Sequence, residues 1–179
     1  MRPSNPESYD SVARILHWVM AGVILALWVV GHMIDVLPKG PLRVEVVGLH
    51  KEIGVIILIL AVGRLAWRII RPQPLLPSSL PAYERWLAKL GHVALYIMML
   101  AIPADGILMS QSAGRAVSLF GFALPILVDK NDALRETLKA GHEVLGWVLA
   151  LALAGHVIAA LRHHFILKDD VMRRMLPSR

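Results

Sequence analysis

The chain has 179 residues, of which 56% are apolar and only 18% charged, with a mean hydropathy of +0.60. Soluble domains average about 45–50% apolar and about 25% charged residues, so this composition argues against disorder and against an ordinary soluble enzyme. Cysteine is absent, which excludes disulfides, iron–sulfur clusters, thiolate zinc sites and cysteine catalysis within this chain. The formal charge is +6 and the pI about 10.1. Lys and Arg nevertheless sit at the ends of apolar runs, the distribution of a membrane protein and not of a nucleic-acid binder, which clusters them on a polar face.

Four apolar runs follow one another. The first, residues 15–34, holds no formal charge and spans about 30 Å as a helix, the thickness of a bilayer core. It is too long for the apolar part of a signal peptide, and no small-residue cleavage site follows it. The second reads from 48 to 70, with Arg64 and Arg68 near its far end, where long side chains can reach the interface. The third, 90–111, carries Pro103 and Asp105, and the proline predicts a kink toward its end. The fourth, 144–161, begins near residue 140, because His142 and Glu143 continue its pattern. The expected architecture is all-α: one integral-membrane four-helix domain over residues 1–179, with helices at about 12–35, 48–70, 90–111 and 140–164.

Residues 71–81 contain four prolines and predict an extended connector. The segment 112–139 mixes charge with an apolar patch at 117–128, broken by Gly121 and Pro125; it reads as an interfacial segment, not a fifth span. Twelve of the 19 Lys and Arg residues fall at the termini, the second connector and the helix ends beside them, including Arg2 and Arg179, and seven in the other two loops. By the positive-inside rule both termini are cytoplasmic.

Histidines inside such spans are costly and face the bundle interior. His142 and His156 are 14 residues apart, so on one helix they share a face, about 40° apart, at depths differing by about 21 Å. His17 begins helix one on the inside and His50 begins helix two on the outside. The depths pair His17 with His156 and His50 with His142. Two stacked bis-histidine sites are what two haems require, and bis-histidine ligation favours electron transfer over oxygen chemistry at the metal. The pattern His-x-x-x-Gly, in His50-Lys-Glu-Ile-Gly54 and His142-Glu-Val-Leu-Gly146, leaves room for a macrocycle edge. Taken singly, each glycine also suits plain helix packing in a membrane.

Arg14, Arg64 and Arg68 lie at the inner depth, suited either to anionic propionates or to simple interfacial anchoring. His163 lies about 20° from His156 on the same face and about 10 Å deeper, placed for a quinone carbonyl or a propionate. His164 points elsewhere, toward the interface or a propionate. His92 opens helix three at inner depth and is the alternative inner ligand, or else a residue of the quinone region. His32 has no partner at its depth and reads as structural or interfacial.

The set Arg14-Ile-Leu-His17-Trp18, His50-Lys-Glu-Ile-Gly54, Arg64, Arg68, Gly91-His92, His142-Glu-Val-Leu-Gly146, Gly155-His156 and Arg162-His163-His164-Phe165 resembles the bacterial cytochrome b561 family. That family is the four-helix di-haem group that also includes membrane subunits of hydrogenases and formate dehydrogenases. The tail from Lys168-Asp169-Asp170 to Arg173-Arg174-Met175-Leu176-Pro177 is similar to that of the short stand-alone members that act as superoxide oxidases. The resemblance covers nearly the whole chain. It implies two b-type haems, oxidation of superoxide at the outer face, and reduction of ubiquinone in the bacterial inner membrane. It places the quinone region at His163, with His92 and Arg14 as further matches.

Lys51, beside His50, is the expected catalytic-side cation for an anionic donor, with Lys39, Arg43, Arg115, Lys130, Arg135 and Lys139 in the outer loops. Those loops hold eight acids against seven cations, so steering of superoxide has to be local. The second expectation is a haem anchor, in which a partner subunit docks outside and delivers the electrons.

Overall fold

The computed structural model describes residues 8–77 and 80–176. Arg2, Arg179, Pro177 and residues 78–79 of the proline connector lie outside the described residues. Four long helices are present: α1 (Ser11–Val36), α2 (Pro41–Ile70), α3 (Ala82–Ser112) and α4 (Asp132–Leu161). A two-strand hairpin, β1 (Ser118–Leu119) and β2 (Phe122–Ala123), lies between α3 and α4. All four helices are long and apolar enough to cross a membrane, α4 doing so with its continuation to Leu167. In hydrocarbon every backbone polar group needs an internal partner, and a helix supplies these within one segment.

Helices α2, α3 and α4 start seven or eight residues before the apolar runs in the sequence do. The apolar run reports the bilayer slab, whereas the helix continues into the polar interface until a cap stops it. Pro41 occupies the first turn of α2, where its missing N–H costs nothing. Pro81 precedes α3, and the Asn131 side chain accepts from Leu134 N at 2.9 Å to open α4. Helix α3 does not stop at Pro103 but runs on to Ser112.

The helices alternate in direction. One end of the bundle carries Ser8 and Leu176, the first and last described residues (the termini end), and the other carries the α1–α2 and α3–α4 connections (the loop end). Helix α3 packs on both α2 and α4, and α1 on α2, whereas among the described residues α1 and α4 meet chiefly through side chains. A core of Met20, Ile24, Ile57, Ala61, Leu95, Met98 and Leu149 draws on all four helices. Outward positions such as Val29, Ile59, Ile97 and Leu151 are exposed on the protein alone, as a lipid-facing surface requires.

The 112–131 segment folds back on the loop end instead of lying free. Val117 is 1% exposed and packs with Val55 and Ile107. Buried Gln111 donates to Pro125 O at 2.8 Å and accepts from Leu127 N at 2.9 Å. At the other end α4 continues into a π-helical turn, Arg162–Leu167, closed by Lys168 in the left-handed region. The tail then crosses to α1: Arg14 donates to Leu176 O at 2.8 Å and Trp18 to Met175 O at 2.9 Å.

Asp10 ties α1 to α2 at this end. Its carboxylate accepts from Ala13 N at 3.0 Å and from the Trp67 indole at 3.1 Å. Partial burial pushes its pKa up, but the bonds from Ala13, Trp67 and Val12, with the Arg71 charge, outweigh that and hold it below 3.8. A depressed carboxyl contributes stability above its unfolded pKa and loses it as pH falls through the folded value. Asp10→Ala is expected to cost about 1 kcal/mol at neutral pH through the lost cap, read as a lower Tm in detergent. The deficit should shrink as the pH falls below 3.8.

Candidate functional site

The structure brings the span histidines together in two groups at two depths. At the loop end, His50 of α2 faces His142 of α4 with ring centres 6.4 Å apart and planes at 71°. At the termini end, His17 of α1 faces His156 of α4 at 6.1 Å and 62°. His92 of α3 joins this second group, 5.5 Å from His156. A metal held linearly between two imidazoles, at about 2 Å per bond, sets their centres roughly 6 Å apart. The His50–His142 and His17–His156 pairs have that spacing, and the His92–His156 pair is tighter. The core cluster fills the space between the two levels.

The nitrogens carry a second kind of information. His142 Nδ1 lies 3.2 Å from Asp105 Oδ2, and His92 Nδ1 lies 2.6 Å from Ala88 O. Each therefore donates at Nδ1, leaving an unprotonated Nε2, which is the ligating form. At His17 the neighbour of Nδ1 is Arg64 Nη2, at 3.2 Å. A guanidinium only donates, so Nδ1 accepts there. Spacing thus favours His17 as the partner of His156, and proton placement favours His92. Among the described residues, His50 Nδ1 is buried without a hydrogen-bond partner.

A cavity of about 410 Å³ opens at the loop end, within the range of about 300–1,000 Å³ typical of cofactor pockets. Its wall includes His50, His142 and four glycines, Gly31, Gly54, Gly106 and Gly146. A Cβ on Gly106 would stand 3.2 Å from His142 Cε1, and one on Gly31 would stand 3.4 Å from His50 Cε1. Gly54 and Gly146 border open space. A pair of imidazoles at metal spacing, an orphaned nitrogen and a glycine-walled apolar cavity together fit a flat, iron-bearing macrocycle.

The remaining predicted residues are placed as follows. Arg64 also donates to Ala13 O at 3.1 Å, and Arg68 lies over the Tyr96 ring at 5.8 Å. Arg14 is engaged with the C-terminal tail. Lys51 lines the cavity while donating to Ser110 Oγ at 3.3 Å and Ala116 O at 3.2 Å. His163 Nδ1 bonds to Asp169 Oδ2 at 2.6 Å, and His164 Nδ1 is buried without a partner among the described residues. His32 does have neighbours. It bonds to Trp28 O at 2.9 Å and packs against the Trp28 and Trp147 rings.

Sequence reasoning missed Asp105 as the partner of His142, and Gly31 and Gly106 as the glycines in contact with rings. The signal for Asp105 is present: an acid inside an apolar span needs a partner, and antiparallel α3 and α4 bring residue 105 level with residue 142.

This geometry defines a class: a multi-span membrane protein with facing histidine pairs at a spacing that fits haem. The chain belongs to the prokaryotic cytochrome b561 family, whose sequence profile matches residues 8–178. It is therefore a membrane electron-transfer cytochrome of the kind that binds haem b. It is 33% identical to cytochrome b561 homolog 2 of Escherichia coli K12, over 97% of this chain and 93% of the relative. It is 29% identical to cytochrome b561 homolog 1 of the same strain, over 92% and 94%. It is 28% identical to the probable superoxide oxidase CybB of Yersinia pestis, over 97% and 98%.

Gly106→Val would drive a branched side chain into the His142 ring. The expected result is a purified chain with less haem per protein by pyridine haemochrome and an unchanged helical circular dichroism spectrum.

Proposed function

We propose that the chain carries electrons across the bacterial inner membrane from a donor at the loop end to ubiquinone at the termini end, with both termini cytoplasmic. His50 and His142 hold one b-type haem, and His17 and His156 a second. The observation that carries this reading is the two facing histidine pairs, at 6.4 and 6.1 Å, on either side of one apolar core. Haem held by these residues would supply one-electron oxidation and reduction.

The donor we favour is superoxide. The wall of the loop-end cavity carries five cations, Arg43, Lys51, Arg115, Arg135 and Lys139, and two acids, Asp35 and Glu143. The outer loops hold a near-balance of charge as a whole, yet the cavity wall concentrates the cations. That local excess draws a small anion in and falls away with salt. Two superoxide ions lose one electron each and leave as two O₂. The two electrons, with two protons, convert ubiquinone to ubiquinol. His163 is the proton-relaying residue of the quinone region: Asp169 Oδ2 accepts from its Nδ1 at 2.6 Å and fixes the ring, and Nε2 is the nitrogen left for the quinone. Arg14 holds the tail that flanks this region.

A second reading has one observation in its favour. Phe120, Phe122 and Ile126 are exposed on the loop-end segment, a surface on which a partner dehydrogenase or hydrogenase could dock and feed the same haem. In that case the chain is an anchor subunit, and the chemistry at the donor end belongs to the partner.

Stopped-flow mixing of the purified haem-loaded chain with a superoxide pulse separates the two readings. We expect fast haem reduction that slows with rising ionic strength, then reoxidation that depends on added ubiquinone. Haem that stays oxidised under superoxide but is reduced by quinol contradicts the oxidase reading and supports an anchor. For the ligands, His142→Ala should remove the loop-end haem alone and His156→Ala the termini-end haem alone. His17→Ala should lose the termini-end haem while His92→Ala keeps it. The opposite outcome would assign that ligand to α3.

A further inference from the structure

Asp105 sits in α3 two residues beyond Pro103, inside a segment long and apolar enough to span the membrane. Its side chain is 13% exposed, and its Oδ2 lies 3.2 Å from His142 Nδ1. An ionisable acid in such a span is costly unless paired, and among the described residues His142 is its ion-pair partner. The fit on both sides is close. A Cβ at Gly141 would meet Asp105 Oδ1 at 3.7 Å, and one at Gly106 would meet the His142 ring at 3.2 Å. The far end of the bundle is built with the opposite sign. There the guanidinium of Arg64 stands 3.2 Å from His17 Nδ1, and His92 Nδ1 meets a neutral backbone carbonyl.

We propose that Asp105 is a positioning residue for the loop-end haem, and that its carboxylate on His142 makes that haem the lower-potential member of the pair. This rests on His142 being an axial ligand. A carboxylate that accepts the distal N–H of an axial imidazole fixes the ring and strengthens it as an electron donor. It also places a negative charge one ring away from the metal. The ferric state carries one more positive charge than the ferrous state, so both effects favour ferric iron and lower the potential. At the termini end the fixed positive charge of Arg64 acts in the other direction, whichever of His17 and His92 pairs with His156. The wall cations of the loop-end cavity pull the other way from further off, and the carboxylate bonded to the ring outweighs them, making transfer from the loop end to the termini end the downhill direction.

The test is an anaerobic potentiometric titration of the haem-loaded chain, with haem content and low-spin electron paramagnetic resonance recorded on each sample. Asp105→Asn should raise the loop-end midpoint by about 59 mV or more, a tenfold change in the oxidised-to-reduced ratio for a one-electron couple. Its resonance should shift, and the other haem should stay as it was. Asp105→Glu should return the midpoint toward that of the parent. Glu143→Gln removes an acid from the loop-end cavity wall without touching the ring bond and should move the midpoint by less than half as much. A loop-end midpoint that stays fixed in Asp105→Asn at full haem content overturns the proposal, as does an equal shift in Glu143→Gln.

A further check does not depend on any Asp105 variant. His142→Ala should leave a single haem, and it should be the one of higher potential. If the remaining haem is the lower one, the proposal is wrong. If both haems remain, it is the ligand assignment beneath the proposal that fails.

Discussion

An imidazole ring inside an apolar slab has to face another polar group, and this constraint organises the whole bundle. His17, His50, His92, His142 and His156 turn inward because lipid offers them nothing. Antiparallel helices then bring rings of equal depth face to face. The two groups that result, His50 with His142 and His17 with His156 and His92, lie at opposite ends of the same core. Everything around them follows from making room for rings and for what lies between rings. Glycines line the cavity wall, α1 and α4 meet mainly through side chains, and the close-packed residues gather in the middle layer, where Met20 and Ala61 are almost completely buried.

The two ends share a plan but not a charge. His142 is backed by a carboxylate and His17 by a guanidinium. Around the loop-end cavity the wall carries more cations than acids, while the ring of His142 is itself backed by a carboxylate. At the termini end the chain wraps its own tail over α1 through Arg14 and Trp18, and the π turn after α4 sets His163 against Asp169. These differences give the bundle a direction that a symmetric pair of histidine sites would lack.

Much of this can be read from residue order. A charge-free run of bilayer length gives a span, and the 14-residue step from His142 to His156 gives one face at two depths. Alternating helix direction then matches depths across the bundle. The true helix starts are less legible, because the caps at Asp10, Pro41 and Asn131 sit in polar stretches that hydropathy does not mark. Side-chain partners between distant segments are less legible still. Asp105 with His142, Gly106 against the same ring, and Trp28 and Trp147 around His32 depend on the rotation of one helix against another. A single sequence constrains that rotation only through the general need of buried polar groups for company. The 112–131 segment was readable as a non-spanning stretch, but its packing through Val117 and its clamp through Gln111 come from tertiary contact.

The central claim is that each facing histidine pair holds one haem. The most direct measurement is the haem-to-chain ratio of the purified protein, taken together with its low-temperature electron paramagnetic resonance spectrum in the ferric state. Two haems per chain, both low-spin with bis-imidazole signals and no high-spin component, is the predicted result. One haem per chain, or a high-spin ferric signal from an intact sample, would contradict the account.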